Sequence, residues 1–354
     1  MTQRIYVTPV AVTGRHCAAE SALPLAGGPL VFGAAEVARR DDRDPATVER
    51  ETRAVPDLMR LDGVPDWLRA LSAPRAALAG LAMDGPGIMG VINVTPDSFS
   101  DGGERADADT AVADGRAMWE AGAEILDVGG ESTRPGAEPV PPDEELRRVI
   151  PVVQRLAEAG CRVSIDTRNA RTMREAVAAG ACMVNDVTGL SGDPEAMETV
   201  AELGVPVCVM HMQGTPQTMQ QNPQYADAAL DIYDALAARV ADCERAGIPR
   251  ARIAVDPGFG FGKTPAHNMA LVNRLALFQG LGCPVLLGLS RKSTLARLSR
   301  GEPPDRRLPG SLAGALAGAQ RGAQILRVHD VAETAQALAV WRAAETLEIP
   351  ETAA

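Results

Sequence analysis

Between residues 88 and 330 eight short apolar runs recur at near-regular intervals, each set apart from the next by a segment of helix-like composition. The runs are IMGVINV (88–94), EILDVGG (124–130), RVSIDT (162–167), MVNDV (183–187), PVCVMH (206–211), RIAVDPG (252–258), PVLLGLS (284–290) and QILRVHD (324–330). Most are near-continuous in Val, Ile and Leu, the pattern of strands buried on both faces. The segments between them, such as PDEELRRVIPVVQRLAEAG and YADAALDIYDALAARVADCERAG, have helical spacing, and many end in Gly, a helix C-terminal signal. Strand and helix alternating in this way predict class α/β and a (β/α)8 TIM barrel. A doubly wound open sheet competes. It would be favoured by a G-x-G-x-x-G after the first strand, and none is there.

Residues 1–83 lack this rhythm. ALPLAGGPLVFG offers one or two possible short strands, ARRDDRDPATVERE is polar, and a short helix is expected around PDWLRAL. The expected organisation is therefore an N-terminal extension, 1–83, that packs on the barrel or covers its base, followed by the barrel itself, 84–354.

The 354 residues are 46% hydrophobic and 23% charged, a soluble globular composition. A net charge of -11 argues against nucleic acid or an anionic membrane as the main partner. No apolar run is long enough to span a bilayer, and the opening MTQRIYVTPVAVTGRHC lacks a signal-peptide core. A cytoplasmic location is the default expectation. The six cysteines form no C-x-x-C pair and read as buried, reduced thiols. With four His and no H-x-H or H-E-x-x-H, a His-based zinc site is disfavoured.

Barrel enzymes carry their chemistry at the C-terminal ends of the strands and in the loops that follow. The unusual polar residues of this chain fall there: Asn93, GESTRPG (130–136), Asp166, Asn185 and Asp186, His211, DPGFGFGK (256–263), SRKS (290–293) and RVHD (327–330). Any one of them can be a satisfied core polar group. Eight strand ends in phase point to a site. Asp166, Asn185 and Asp256 suit the donor and acceptor edge of a polar heterocycle, since a carboxylate matches two parallel N–H groups and an amide matches a donor beside an acceptor. Arg134, Arg291, Lys292 and Arg327 place cations at the same rim, and strands seven and eight often supply a barrel's phosphate site. A heterocycle carrying an anionic group follows. A Schiff-base aldolase with Lys292 as nucleophile is the rival chemistry.

IMGVINVTPDSFSDGG and LDVGGESTRPGA resemble the two signature segments of the dihydropteroate synthases. VNDVTGL, MHMQGTPQTMQ, DPGFGFGKT, GLSRKS and RVHDV are similar to the family's remaining blocks, in the same order. The resemblance covers about residues 85–345. It implies a TIM barrel that condenses 6-hydroxymethyl-7,8-dihydropterin pyrophosphate with p-aminobenzoate, uses Mg2+ and forms a homodimer. By motif position it implies that Asp166, Asn185, Asp256 and Lys292 bind the pterin, with Met210 as an apolar wall. Asn93, Arg134, Arg327 and His329 become the pyrophosphate set, with Asn93 also on the metal. Phe99, Thr133, Pro135, Phe261 and Ser293 become p-aminobenzoate contacts. Asp101 adds a negative charge near the reacting carbon, in a first loop whose Gly102 and Gly103 suit a lid. A pterin-binding methyltransferase domain and a non-catalytic paralogue remain alternatives. Intact SFSDGG, STRPG and SRKS oppose the first, and retained Arg134, Lys292 and His329 oppose the second. Arg168 departs from the family pattern and is expected at a solvent-facing helix start.

Overall fold

The structure, a computed structural model, describes residues 3–94, 103–132, 134 and 136–347. Six strands precede the barrel: β1 (Gln3–Val10), β2 (Thr13–Gly14), β3 (Leu23–Pro24), β4 (Leu30–Phe32), β5 (Ala34–Asp41) and β6 (Val48–Ala54). The barrel strands are β7 (Gly87–Asn93), β8 (Ile125–Gly129), β9 (Val163–Asp166), β10 (Met183–Asp186), β11 (Val207–Met210), β12 (Ile253–Asp256), β13 (Leu286–Leu287) and β14 (Ile325–Val328). They form one eight-stranded parallel sheet in the order β12-β11-β10-β9-β8-β7-β14-β13. A parallel bridge between Val255 and Val285 joins its two ends, so the sheet closes as the sequence predicts.

Side chains alternate across a strand, so residues two apart share a face. Met89, Ile125, Met183, Cys208, Ala254, Leu286 and Ile325 form one buried cluster inside the lower barrel. Leu78, Leu81 and Met83, beside a short antiparallel bridge that precedes β7, join this cluster and plug the base. Two residues further along the same strands stand Asp127, Asn185, Met210, Asp256 and Arg327. The same two-residue step on β9 leads from the fully buried Ser164 to Asp166. The inward face thus turns from apolar at the base to polar at the mouth within one alternation.

Helices α3 (Gly103–Glu120), α4 (Pro142–Glu158), α5 (Ala170–Ala178), α6 (Ala196–Leu203), α7 (Ala228–Arg245), α8 (Pro265–Asn273), α9 (Ser293–Arg297), α10 (Leu308–Ala319) and α11 (Val331–Thr346) fill the crossovers. Amphipathic α4 buries Val149, Val152, Val153 and Leu156, the apolar stripe expected of a helix on a sheet. Among the described residues no helix is long and apolar enough to cross a membrane. Cys161, Cys208, Cys243 and Cys283 are buried, Cys182 is half-buried, Cys17 is exposed, and all are free thiols.

The N-terminal segment is richer in strand than its sequence suggests. One or two short strands are expected there. Instead β1, β5 and β6 form an antiparallel sheet and β2, β4 and β3 form another, followed by α1 (Val55–Leu58) and α2 (Val64–Ser72). The polar stretch ARRDDRDPATVERE lies in the β5–β6 hairpin. Its cross-strand partners include Arg39 with Glu49 and Ala38 with Arg50, so charge rather than apolar alternation marks it. This segment lies against α7. The Tyr6 ring meets Tyr233 edge-on at 5.9 Å and its hydroxyl donates to Asp234 at 2.8 Å. Arg4 donates to Asp234 at 2.9 Å, while Arg40 and Arg50 pair with Asp231 and Asp227.

Candidate active site

Strand register sets the site. Asn93 lies opposite Gly129, Gly129 opposite Asp166 and Asp166 opposite Asn185, while Met210 lies opposite Asp256. The polar strand ends therefore arrive at one level around the mouth.

At the centre is Arg327 on β14. Its Nε donates to Asp127 at 2.6 Å and its Nη2 to Asp166 at 2.7 Å, reaching across the barrel to β8 and β9. Asn185 donates from Nδ2 to the same Asp127 oxygen at 2.9 Å. Asp127 is fully buried, and its Oδ1 has no partner among the described residues. Burial works against the Arg327 charge, but Asp127 and Asp166 outweigh it and hold its pKa above the usual value. Burial pushes the Asp166 carboxyl up to about 7, against the pull of Arg327, and the nearby Asp127 adds to the rise. A low-dielectric site of this kind makes each polar contact count for more, and each missing one cost more.

A second group forms beside it. Asp256 accepts from the Gly258 amide at 2.7 Å in the turn after β12. Gly258 has φ +71°, and a Cβ there would stand 1.9 Å from the His211 carbonyl oxygen, so only Gly fits. Lys292 donates from Nζ to the Phe259 carbonyl, with its ammonium 4.5 Å from the centre of the Phe261 ring. Burial lowers the Lys292 pKa to about 8, opposed by Asp256. Burial raises the Asp256 pKa, opposed by Lys292. Met210 is buried at the end of β11. Lys263 is 2% exposed and donates to the Phe261 and His211 carbonyls at 2.8 and 3.2 Å, fastening the loop after β11 to the loop after β12. Its Nζ also lies 3.1 Å from His211 Nδ1. Burial lowers its pKa to about 7, and burial with Lys263 nearby lowers that of His211 to about 3.

The anion side of the mouth carries His329, Arg134 and Asn93. Buried Ser290 accepts from the His329 backbone N–H at 3.2 Å and meets His329 Nδ1 at 3.1 Å. When the Ser290 hydroxyl donates to Nδ1, the ring proton lies on Nε2 and faces the mouth. Burial, then Arg327 and Arg291, lower the His329 pKa to about 4, and Arg134 contributes to the same depression. His329 is therefore a neutral donor at pH 7 with Arg134 within electrostatic reach. Arg134 is exposed and Asn93 half-buried. Arg291, another rim cation, is turned to Asp330 in an ion pair.

The structure thus brings together Asp166, Asn185, Arg327 and, beside them, Asp256 with Lys292. Phe261 joins through its ring, whereas Ser293 is exposed at the first turn of α9. Phe99, Asp101, Thr133 and Pro135 lie outside the described residues, as does Gly102 of the expected lid. Asp127 carries no role expected from the sequence, and Lys263 and Ser290 lie in DPGFGFGK and SRKS without a role of their own expected there. The signal for Asp127 was a lone acid inside the apolar run EILDVGG, two residues past Ile125. Arg168 is not the solvent-facing helix start expected of it. It is half-buried and forms a bidentate pair with Glu131 at 3.0 and 2.7 Å. Among the described residues no three His, Cys, Asp or Glu cluster as a metal cage.

Comparison with known proteins narrows what this arrangement does. Residues 89–329 match the family model described as pterin binding enzyme. The dihydropteroate synthase of Escherichia coli is 48% identical over 261 residues, covering 73% of this chain and 92% of that protein. The structure of the Xanthomonas albilineans dihydropteroate synthase with 4-aminobenzoic acid superposes with a TM-score of 0.72 at 50% identity, covering 76% of this chain and 97% of that one. The Burkholderia cenocepacia dihydropteroate synthase complexed with 7,8-dihydropteroate gives a TM-score of 0.70 at 44% identity, covering 76% and 96%.

Proposed function

Because the chain belongs to the dihydropteroate synthases, a family of pterin binding enzymes, we propose that it joins 6-hydroxymethyl-7,8-dihydropterin pyrophosphate to p-aminobenzoate, giving 7,8-dihydropteroate and pyrophosphate. The observation that carries this reading is the buried lattice in which Arg327 ties Asp127 to Asp166 and Asn185 completes the edge. A flat heterocycle with adjacent N–H donors and a carbonyl acceptor fits such a rim, and the partnerless Asp127 Oδ1 has a lone pair to offer it. We assign Asp166, Asn185, Asp256, Lys292 and the wall of Met210 to the pterin. Arg134, His329 and Asn93 take the pyrophosphate. Arg327 gives its Nε hydrogen and one Nη2 hydrogen to carboxylates, and its Nη1, which has no partner among the described residues, would reach toward the same group. Phe261 and Ser293 line the p-aminobenzoate side.

Mg2+ fits this donor set. The half-buried Asn93 amide has no partner among the described residues, and Mg2+ needs few protein ligands when a diphosphate and water supply the rest. Held by Asn93, the ion would neutralise charge on the departing pyrophosphate. The remaining work falls to the chain. The aromatic amine is unprotonated at neutral pH and needs no strong base. Its nitrogen bonds to the pterin methylene carbon as the C–O bond breaks, the electron pair leaves on pyrophosphate, and the proton lost by the nitrogen passes to the departing pyrophosphate or to water. Arg134, Arg327 and the Nε2–H of neutral His329 stabilise that charge. No covalent enzyme intermediate is needed, so Lys292 acts as a donor rather than a Schiff-base nucleophile. Pyrophosphate release that requires p-aminobenzoate supports this reading; equal release without the amine would make the protein a hydrolase.

Lys292 also sets a pH dependence. Its ammonium is charged below about 8 and loses its proton above. Asp166 takes up a proton as the pH falls through about 7. Pterin affinity should therefore peak between these values and fall on both sides by up to about tenfold per pH unit. Calorimetry with a dihydropterin checks this. In Lys292→Arg the cation persists, so the alkaline limb should vanish, and a limb that survives would assign it to another group.

We further propose a homodimer and a cytoplasmic location. The apolar helix α10, with Leu312 and Leu316 only half-buried, supports the pairing of two copies.

A further inference from the structure

The loop that follows β8 carries Arg134, and its neck is closed by a single carboxylate. Glu131 Oε1 accepts from the Val140 amide at 3.2 Å, joining the two ends of the loop. The same carboxylate takes both arms of the Arg168 fork. This pair is well shielded, with the Glu131 side chain 12% exposed and that of Arg168 31%.

Arg168 itself sits on a fixed post. It precedes Asn169, the residue before α5, whose side chain donates to the fully buried Glu145 of α4 at 2.7 Å. Thr172 donates to the same Glu145 oxygen at 2.7 Å, and the Ala170 amide donates to Asp193 at 2.9 Å. The turn bearing Arg168 is therefore pinned to α4 on one side and to the loop after β10 on the other. Beyond Arg134 the same loop is tied to the loop after β11, through Gly136 N–H to the Pro216 carbonyl at 3.1 Å and Gln217 to the Ala137 carbonyl at 3.2 Å. From this frame Arg134 acts electrostatically on His329, the residue after β14.

We infer that Arg168 is a positioning residue that, through Glu131, holds the neck of the Arg134 loop and so sets how well the pyrophosphate of the first substrate is received. It touches no reacting atom. The pterin residues stand on strand ends that Arg168 does not hold, so its loss should spare pterin recognition. A planar fork gripping a shielded carboxylate gives orientation as well as attraction, which a lysine supplies only in part. The inference rests on the synthase reading for its catalytic consequence, but not for the closure of the neck.

The test uses the full chain with Arg168→Ala, Arg168→Lys, Glu131→Gln and the double variant Arg168→Ala/Glu131→Gln. Arg168→Ala should raise KM for dihydropterin pyrophosphate about tenfold, the scale of one well-formed ion pair, with affinity for a dihydropterin lacking the pyrophosphate, by calorimetry, within about twofold of wild type. Arg168→Lys should recover part of the loss, and the double variant should be no worse than the poorer single one. Amide exchange at Val140 should quicken in Arg168→Ala and Glu131→Gln. Unchanged exchange overturns the neck closure. Faster exchange with unchanged KM overturns the positioning role, as does an equal loss of pterin affinity. If the wild-type chain makes no dihydropteroate, the synthase reading and the positioning role fall together, and the neck closure is still decided by Val140.

Discussion

Arg327→Ala is expected to lower stability by about 3–5 kcal/mol and to remove nearly all activity, because it strands two buried carboxylates without their cation. Asp127 is fully buried and Asp166 nearly so, and Arg327 is the only cation hydrogen-bonded to either among the described residues. The pH dependence gives the effect a signature. The folded-state pKa of Asp166 is raised, to about 7, above the ordinary carboxylate value. Its contribution to stability is therefore present at acid pH and lost as the pH rises through about 7. Without Arg327 that pKa should rise further. The variant should then go on losing stability above about pH 7, where wild type levels off, and the gap between the two should narrow toward acid. Urea unfolding across pH checks this. Equal pH slopes in both proteins would show that the lattice does not depend on Arg327. Arg327→Lys should fold better than the alanine variant yet remain poorly active, since one ammonium cannot span Asp127 and Asp166 at once.

The second large effect is expected at Asp256. Asp256→Asn keeps the size of the side chain but turns one acceptor into a donor. One carboxylate oxygen holds the Gly258 amide, so the other is the one available to a ligand. If the amide keeps its oxygen on Gly258, its NH2 faces the pterin N–H groups, donor against donor. An unpaired buried polar group costs about 2 kcal/mol or more, some thirtyfold in affinity. The fold should tolerate the change, because Gly258 keeps its acceptor. Calorimetry with a dihydropterin should show the loss with little change in the unfolding midpoint. Unchanged affinity would remove Asp256 from the pterin edge.

The barrel was legible because both-face burial leaves its strands almost wholly apolar, and the closed sheet places them where those runs lie. The site was legible as far as strand ends reach. Asp166 and Asp256 end their strands, Asn185 stands one residue before the end of its own, and the register brings Asp166 and Asn185 to the same level. Asp127 was missed because it lies mid-run, where an acid looks like noise in an apolar strand. Only the two-residue step from Ile125 reveals that it faces the mouth. Lys263 was hidden for a different reason. Its role is to bind carbonyls of two loops, and main-chain acceptors leave no trace in a sequence. The Arg168–Glu131 pair joins residues 37 positions apart, with one helix and one strand between them, a distance no local pattern reports. In the N-terminal segment β2 and β3 are two residues each, and β6 reads VERETRA, with charge on both faces. Strands so short or so polar carry no alternation to detect.

The identity of the product tests the proposed reaction most directly. Purified full-length protein would be incubated with dihydropterin pyrophosphate and p-aminobenzoate, with Mg2+ or with a chelator, and the small molecules analysed by mass spectrometry. The expected result is 7,8-dihydropteroate formed in equal amount to pyrophosphate, dependent on both substrates and on Mg2+. Pterin binding without any dihydropteroate, under conditions in which the wild-type chain is folded, would contradict it and leave a pterin-binding protein of another kind.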